Sequence, residues 1–430
     1  MGRLGLCRAQ GSGSLSRWFP IAVACCALLA AGNASAAEEG GLRLSGFGTF
    51  GYVRDNRPDI APARDIGQNP SNGFSTGPGW QLDSRIGVQL EYAVSPLIDL
   101  VGQAVWRDQF KADVDSSIDL AYVALKPGRN LDVRLGRINY DAFLMSDHRN
   151  VGYAYQWVRP PAEFYGWIPI FSLDGIDAAY TLRDGEAQWR FKAQAGNSRL
   201  RIPIGNGYDF HAHNMLGTSV SRQSGSWRLK AAYSQFDSAN EVPAFAALHQ
   251  GLDQVVAANL PSTSAEAADL RRNLAFKNAK ISYTTLGAAY DDGVWLGQAE
   301  LGRSTATAAV IPHGTMAYAS IGRRFGTWTP SLTLSASRPG NRLRAAANSW
   351  GAFNATVRDP ALFTLNATRI EQNTLSLAAR WDFRSNAALK LQWERTVIKP
   401  SGYGLWWRDT AINMQTSRIN QVSATVDFTF

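Results

Sequence analysis

Five histidines, three cysteines confined to the first 26 residues, and scattered serines are the raw material for bond-making chemistry in this chain of 430 residues. His148, His211, His213, His249 and His313 stand in no recognisable Ser-His or Asp-His constellation, so no nucleophile is paired with a base and no enzyme is expected. His211 and His213 share one strand face, but no carboxylate pattern completes a metal site, and two tolerated loop-edge histidines are the simpler reading. No cofactor and no bound metal is expected.

What the sequence does carry is patterned charge. Arg85, Arg107 and Arg134 fall on one parity of successive segments, with Arg190, Lys192, Arg228, Lys230 and Arg380 further along. The stretch 140–172 brings Asp141, Asp147 and Glu163 together beside His148, Arg149 and Arg159. An acidic loop opposite a basic wall sets up a transverse field that sorts solutes by charge and dipole, and low-dielectric walls strengthen it. In the competing arrangement the arginines simply pair with Asp83, Asp99, Asp119 and Asp132 along the wall.

The elements that would hold these groups are strands. Segment 80–92 puts Trp80, Leu82, Ile86, Val88, Leu90 and Tyr92 on one face and Gln81, Asp83, Arg85, Gln89 and Glu91 on the other, and 227–233, 375–383 and 387–393 repeat the period-2 pattern. Sixteen such segments are expected, near 42–53, 80–93, 97–109, 116–126, 130–139, 173–183, 186–197, 211–223, 226–237, 276–291, 293–304, 313–325, 327–338, 370–383, 386–398 and 416–430. Their connections alternate between tight turns such as Asp184-Gly185 and Ser224-Gly225 and long loops such as 54–79, 140–172, 238–275, 339–369 and 399–415. Short turns at one end, long loops at the other and an even strand number describe an all-β transmembrane antiparallel barrel rather than a soluble sandwich. Within 238–275, Thr263 and Glu266 are spaced for a capping box ahead of Ala267, Leu270 and Leu274, so a short surface helix is expected there.

Composition agrees. The chain is 45% hydrophobic and 18% charged, with 39 Gly, and its mean hydropathy is −0.20, which leaves no apolar run near the ~20 residues of a spanning helix beyond the N-terminus. Arg3, Arg8 and Arg17, then the apolar stretch 21–31 and Ala34-Ser35-Ala36, describe a secretory signal cleaved after residue 36, leaving one barrel domain over 37–430. The signal removes 3 Arg and Cys7, Cys25 and Cys26, so the mature chain carries 40 − 35 = +5 and no thiol. That charge is too small to argue for nucleic acid. Trp80, Tyr92, Trp106, Tyr180, Trp189, Trp227, Tyr233, Trp295, Trp328, Trp381, Phe383 and Trp393 sit mainly at the ends of the apolar face, as interfacial girdles require.

The last segment alternates Val422, Ala424, Val426, Phe428 and Phe430 against Gln421, Ser423, Thr425, Asp427 and Thr429. It closely resembles the C-terminal signature by which outer-membrane proteins are handed to the barrel assembly machinery, with Val426, Phe428 and Phe430 as the signal. The stretch 44–52 (LSGFGTFGY), Asp83-Ser84-Arg85-Ile86-Gly87-Val88-Gln89 and Leu135-Gly136-Arg137 widen the resemblance to the Gram-negative porin superfamily. That resemblance implies a water-filled diffusion channel in the outer membrane, usually a homotrimer among lipids and lipopolysaccharide, with the third long loop folded into the lumen. The residues support the last point independently: loop 140–172 contains nine aromatics, whose exposure to water would cost about 25 cal/mol per Å². Pro160, Pro161 and Pro169 would stiffen its path.

The expectation is therefore a barrel of about 16 strands passing small hydrophilic solutes and ions. Its eyelet is expected between the basic wall of Arg85, Arg107 and Arg134 and the loop acids Asp141, Asp147 and Glu163. The alternatives are a channel specific for phosphate-like anions or sugars, the sugar type usually having eighteen strands, and a plugged or adhesive barrel that does not conduct.

Overall fold

The computed structural model describes residues 41–57, 59–68, 79–110, 113–205, 207–408 and 415–430. The expected signal segment 1–36 lies outside them. Sixteen long strands dominate: β1 (Leu42–Asp55), β2 (Arg85–Ser95), β3 (Ile98–Arg107), β4 (Ile118–Gly128), β5 (Leu131–Asn139), β6 (Ser172–Asp184), β7 (Ala187–Ile202) and β8 (Tyr208–Ser224) form the first half. The second half is β9 (Trp227–Ser238), β10 (Lys280–Asp291), β11 (Trp295–Ala306), β12 (Gly314–Arg323), β13 (Trp328–Pro339), β14 (Ile370–Arg384), β15 (Ala387–Tyr403) and β16 (Ser417–Thr429). Each pairs antiparallel with the next, and β16 returns to β1, so the sheet is a closed sixteen-strand barrel. Closure removes the unpaired edge that hydrocarbon would penalise.

Alternation assigns the faces as expected. Leu90, Leu135, Ile176, Leu216, Leu286, Leu301, Leu334, Leu377 and Leu391 point outward and remain exposed in a belt, and Tyr92, Trp106, Tyr180, Trp227, Trp295, Trp328 and Trp381 are exposed among them. An apolar belt carrying aromatics is the surface a bilayer requires, and among the described residues no helix is long and apolar enough to cross one. One boundary departs from the period-2 reading. Strand β2 begins at Arg85, not near residue 80, because Asp83 and Ser84 turn inward: Ser84 Oγ accepts from Gly51 N at 3.0 Å, and Asp83 is bound by a loop arginine. Trp80 is nevertheless exposed, stacking on Phe50 at 5.2 Å and meeting Tyr52 edge-on at 4.8 Å.

The closing seam explains the glycines of β1. A Cβ on Gly48 would lie 2.3 Å from Cζ of Phe428, its direct partner across the seam, and one on Gly46 would lie 2.2 Å from Cζ of Phe430. The two rings lie over bare backbone, and Phe428 is 2% exposed. At the turn end, Gly185 and Gly225 hold φ of 57° and 53°, a region that favours glycine.

At the other end the loops pack on one another. Helices Ala246–Ala257, Thr263–Asn273 and Asp359–Ala367 contribute Leu252, Val255, Leu270 and Leu365 to one apolar cluster, which also takes in Val310, Trp350 and the aromatics of the third loop. The helix expected at Thr263 is present, but its capping box is not. Ser262 stands at the cap with φ 57° and its hydroxyl donates to Pro261 O (2.7 Å) rather than capping the helix, while Glu266 is taken by donors on another loop: Ala347 N (3.0 Å), Trp350 Nε1 (2.9 Å) and Asn348 Nδ2 (3.2 Å). Three donors from a neighbouring loop outcompete one local backbone N–H for the carboxylate.

Candidate functional site

The third loop, 140–171, leaves β5, returns to β6, and spends its length inside the barrel. Its neck is closed by Tyr140 N to Phe171 O at 2.9 Å. Beyond it the loop is fastened around the wall: Thr285 of β10 donates to Ala142 O (2.6 Å), Leu144 N to Glu300 of β11 (2.9 Å), Trp157 Nε1 to Ser320 of β12 (3.0 Å) and Thr333 of β13 (2.8 Å), and Val158 N to Gln392 of β15 (2.8 Å). Tyr153 reaches Ser385 O in a short turn at 2.8 Å, so the loop descends to the far end of the barrel. Pro161 sets the entry to the short helix Ala162–Tyr165 with φ −52°.

Burial of the loop aromatics supplies the driving force anticipated from composition. Phe143, Trp157, Phe164, Tyr165 and Trp167 are each no more than 2% exposed. The wall that receives them is hydroxyl-lined. Thr329, Ser331, Thr333, Ser335 and Ser337 of β13 all face inward and are buried, and Ser337 Oγ donates to Glu163 O at 2.8 Å. Their alternation in the sequence marks a surface built to accept hydrogen bonds rather than to face open water.

The six expected eyelet residues divide into groups. Arg85, 3% exposed, donates to Asn150 O (2.7 Å) and contacts the Tyr155 hydroxyl. Arg107 pairs with wall Asp119 (2.8 Å) and lies over the Phe171 ring, and Arg134 pairs with Asp177 across the β5–β6 register (Nε to Oδ1, 2.9 Å) and lies over Tyr122. Asp141 is buried between Lys230, Lys192 (3.8 Å) and Ser219 (2.7 Å). Glu163 is buried among Ser335 (2.7 Å), Gln372 (2.6 Å) and Thr374. Asp147 alone of the three acids is exposed, accepting from Asn139. Among the described residues, no ion pair joins the three arginines to the three acids.

Another loop-to-wall ion pair has the opposite polarity. Arg159 of the loop inserts between Asp83 (3.0 and 2.6 Å) and Glu394 of β15, with Ser423 of β16 at 2.6 Å. Lys390 of β15, fully buried, donates to Gly152 O (2.6 Å) and Trp157 O (2.9 Å) and pairs with Asp427 of β16 at 3.2 Å. Sequence reasoning missed both anchors. The only signal was an arginine directly before two prolines.

The loop fills the lumen unequally. Inward residues of β10 to β16 such as Thr285, Glu300, Ser320, Thr374, Gln392 and Thr425 are buried beneath it. On β2 to β9, Gln89, Gln103, Tyr122, Arg134, Arg190, Arg228 and Lys230 stay partly solvated. Two cavities flank the loop. One, about 650 Å³, lies toward the long loops and includes Arg64, Arg107, Phe171 and Arg201; the other, about 600 Å³, lies toward the short turns and includes His148, Gln223, Arg228, Gln298 and Arg380. His148 lines the second, and the nearby Asn150 is bonded to Asp119, which lines the first. Among the described residues no group of three or more His, Cys, Asp or Glu is arranged to hold a metal, and His211 borders the first of these cavities beside Asp209.

No family model matches the sequence, and no curated protein is similar to it in sequence. Solved structures do match in fold. An anion-selective porin from Comamonas acidovorans superposes with a TM-score of 0.52 at 13% identity, covering 91% of this chain and 100% of that one. OmpF of Salmonella typhi, solved in complex with daunomycin, superposes with a TM-score of 0.51 at 13% identity, covering 91% of this chain and 98% of that one.

Proposed function

We propose that this chain, which has the closed sixteen-strand barrel of the bacterial outer-membrane porins and spans the Gram-negative outer membrane many times, conducts small hydrophilic solutes and ions passively. The observation that carries the reading is the pair of cavities left beside the lumen loop, one toward the long loops and one toward the short turns, with partly solvated polar residues such as Gln89, Arg134, Arg228 and Lys230 on the inner wall. Arg85, Arg134 and Asp147 border the narrow part in this reading, whereas Asp141 and Glu163 hold the loop to the wall. Cleavage after residue 36 leaves the barrel as the mature protein. Val426, Phe428 and Phe430 present the assembly signal to the barrel assembly machinery. The barrel works as a homotrimer among lipids and lipopolysaccharide.

Current through the folded protein in a planar bilayer tests the reading. Stepwise openings, in threes for a trimer, are expected. A barrel that resists heat unfolding in detergent yet stays silent would instead be a plugged or adhesive barrel, a reading favoured by the apolar cluster with which the outer loops cover part of the mouth. Competition between salt current and phosphate or sugars separates a general channel from a specific one.

A further inference from the structure

We propose that the cavity toward the short turns, lined by Arg228, His148, Gln298 and Arg380, prefers small anions because Arg228 has no acid partner among the described residues. The inference deepens the channel reading and rests on it.

On the long-loop side of Arg228 the wall carries a ladder of alternating charges. Arg134 of β5 meets Asp177 of β6; Lys192 of β7 meets the same carboxylate at 3.1 Å and Asp141 of the loop at 3.8 Å; Lys230 of β9 closes on Asp141. Three cations share two carboxylates, so the ladder carries one net positive charge. Arg190 is matched by Asp132 at 3.4 Å and adds nothing. One turn-ward step from Lys230 stands Arg228, opposite Ala289 on one neighbouring strand and Gln223 on the other. It has no acid partner among the described residues. The carboxylate of Asp291, which lines the same cavity, is already held by Arg324 at 2.5 and 2.8 Å.

The opposing charge is Asp147, the one exposed carboxylate of the loop. Ladder plus Arg228 minus Asp147 leaves one positive charge. Screening extends over about 8 Å at physiological salt, so this charge acts on ions that come near it. A carboxylate or phosphate exchanging part of its hydration for the Arg228 fork is favoured over a cation of equal size.

The test is the reversal potential of the folded protein in a planar bilayer under a KCl gradient. The unmodified protein is expected to favour chloride. Arg228→Gln should lower the chloride-to-potassium permeability ratio by roughly twofold, and Arg228→Glu should bring it below one. Arg303→Gln, an equal change of net charge on the outer face, should leave the ratio unaltered. Potassium preference in the unmodified protein, or the same ratio in Arg228→Glu, would overturn the proposal while leaving the channel reading intact. Silence from all folded variants would overturn both.

Discussion

Arg159 and Asp83 form a two-pronged ion pair, Nε and Nη2 to the two carboxylate oxygens at 3.0 and 2.6 Å, between the tip of the lumen loop and the residues just before β2. Neither side chain is more than 5% exposed. The pair, with Glu394 on its far side, ties the loop to the two strands flanking the closing seam.

Removing one member strands buried charge. Arg159→Ala leaves Asp83 and Glu394 facing each other without a cation, at a cost of about 3–5 kcal/mol. The expected result is a lower unfolding temperature in detergent and faster proteolysis within 140–171. Adding Asp83→Asn and Glu394→Gln to Arg159→Ala should recover part of the loss. Equal stability of the single and triple variants would remove the pair as an anchor.

The seam depends on bare backbone under Phe428. Gly48→Val places side-chain atoms where the ring lies, and overpacking of this kind costs about 1–3 kcal/mol. Reduced yield of heat-resistant barrel is expected, measured by gel mobility before and after boiling. Gly102→Val, at a position with nothing within 4 Å of the added Cβ, should fold as the parent does.

The lipid face is open to direct challenge. Leu377, 49% exposed and opposite Leu332 and Trp393 on its two neighbours, lies in the apolar belt. Leu377→Arg should destabilise the barrel by about 2–4 kcal/mol in a bilayer near the midplane. Equilibrium unfolding in vesicles measures this; a change within error would mean the residue does not face lipid.

Acid should loosen the outer loops. Burial, with the Arg271 charge adding to it, holds His249 below its ordinary 6.5. Burial opposes ionisation of Glu266, but hydrogen bonds from Ala347, Trp350 and Asn348 outweigh it and hold the carboxyl below its ordinary 4.5. In both cases the folded loop prefers the deprotonated group. Its stability is therefore complete above the ordinary value and is lost as pH falls through the folded one, the His249 contribution first and the Glu266 contribution at lower pH. Hydrogen exchange across 246–273 should quicken in that order, and His249→Gln should abolish the first step. Protection that stays level down to pH about 4 would contradict the His249 assignment.

Sixteen strands, their face parity, the short-and-long alternation of their connections and the burial of the aromatic loop were all legible in the sequence. Each is a local consequence of period-2 patterning, turn residues or composition, and a closed sheet is the way such strands cross hydrocarbon. Parity put Arg85, Arg107 and Arg134 on the inner face, but it says nothing of height or partner. Arg134 meets Asp177 because β5 and β6 pair in one register, and Asp141 meets Lys230 because a loop 89 residues away in sequence descends beside β9. The inward turn at Asp83, the grip of Arg159, and the solitary position of Arg228 arose the same way. They depend on where the loop lies once the barrel has closed, and that is decided by packing between residues far apart in the chain, which no local pattern encodes.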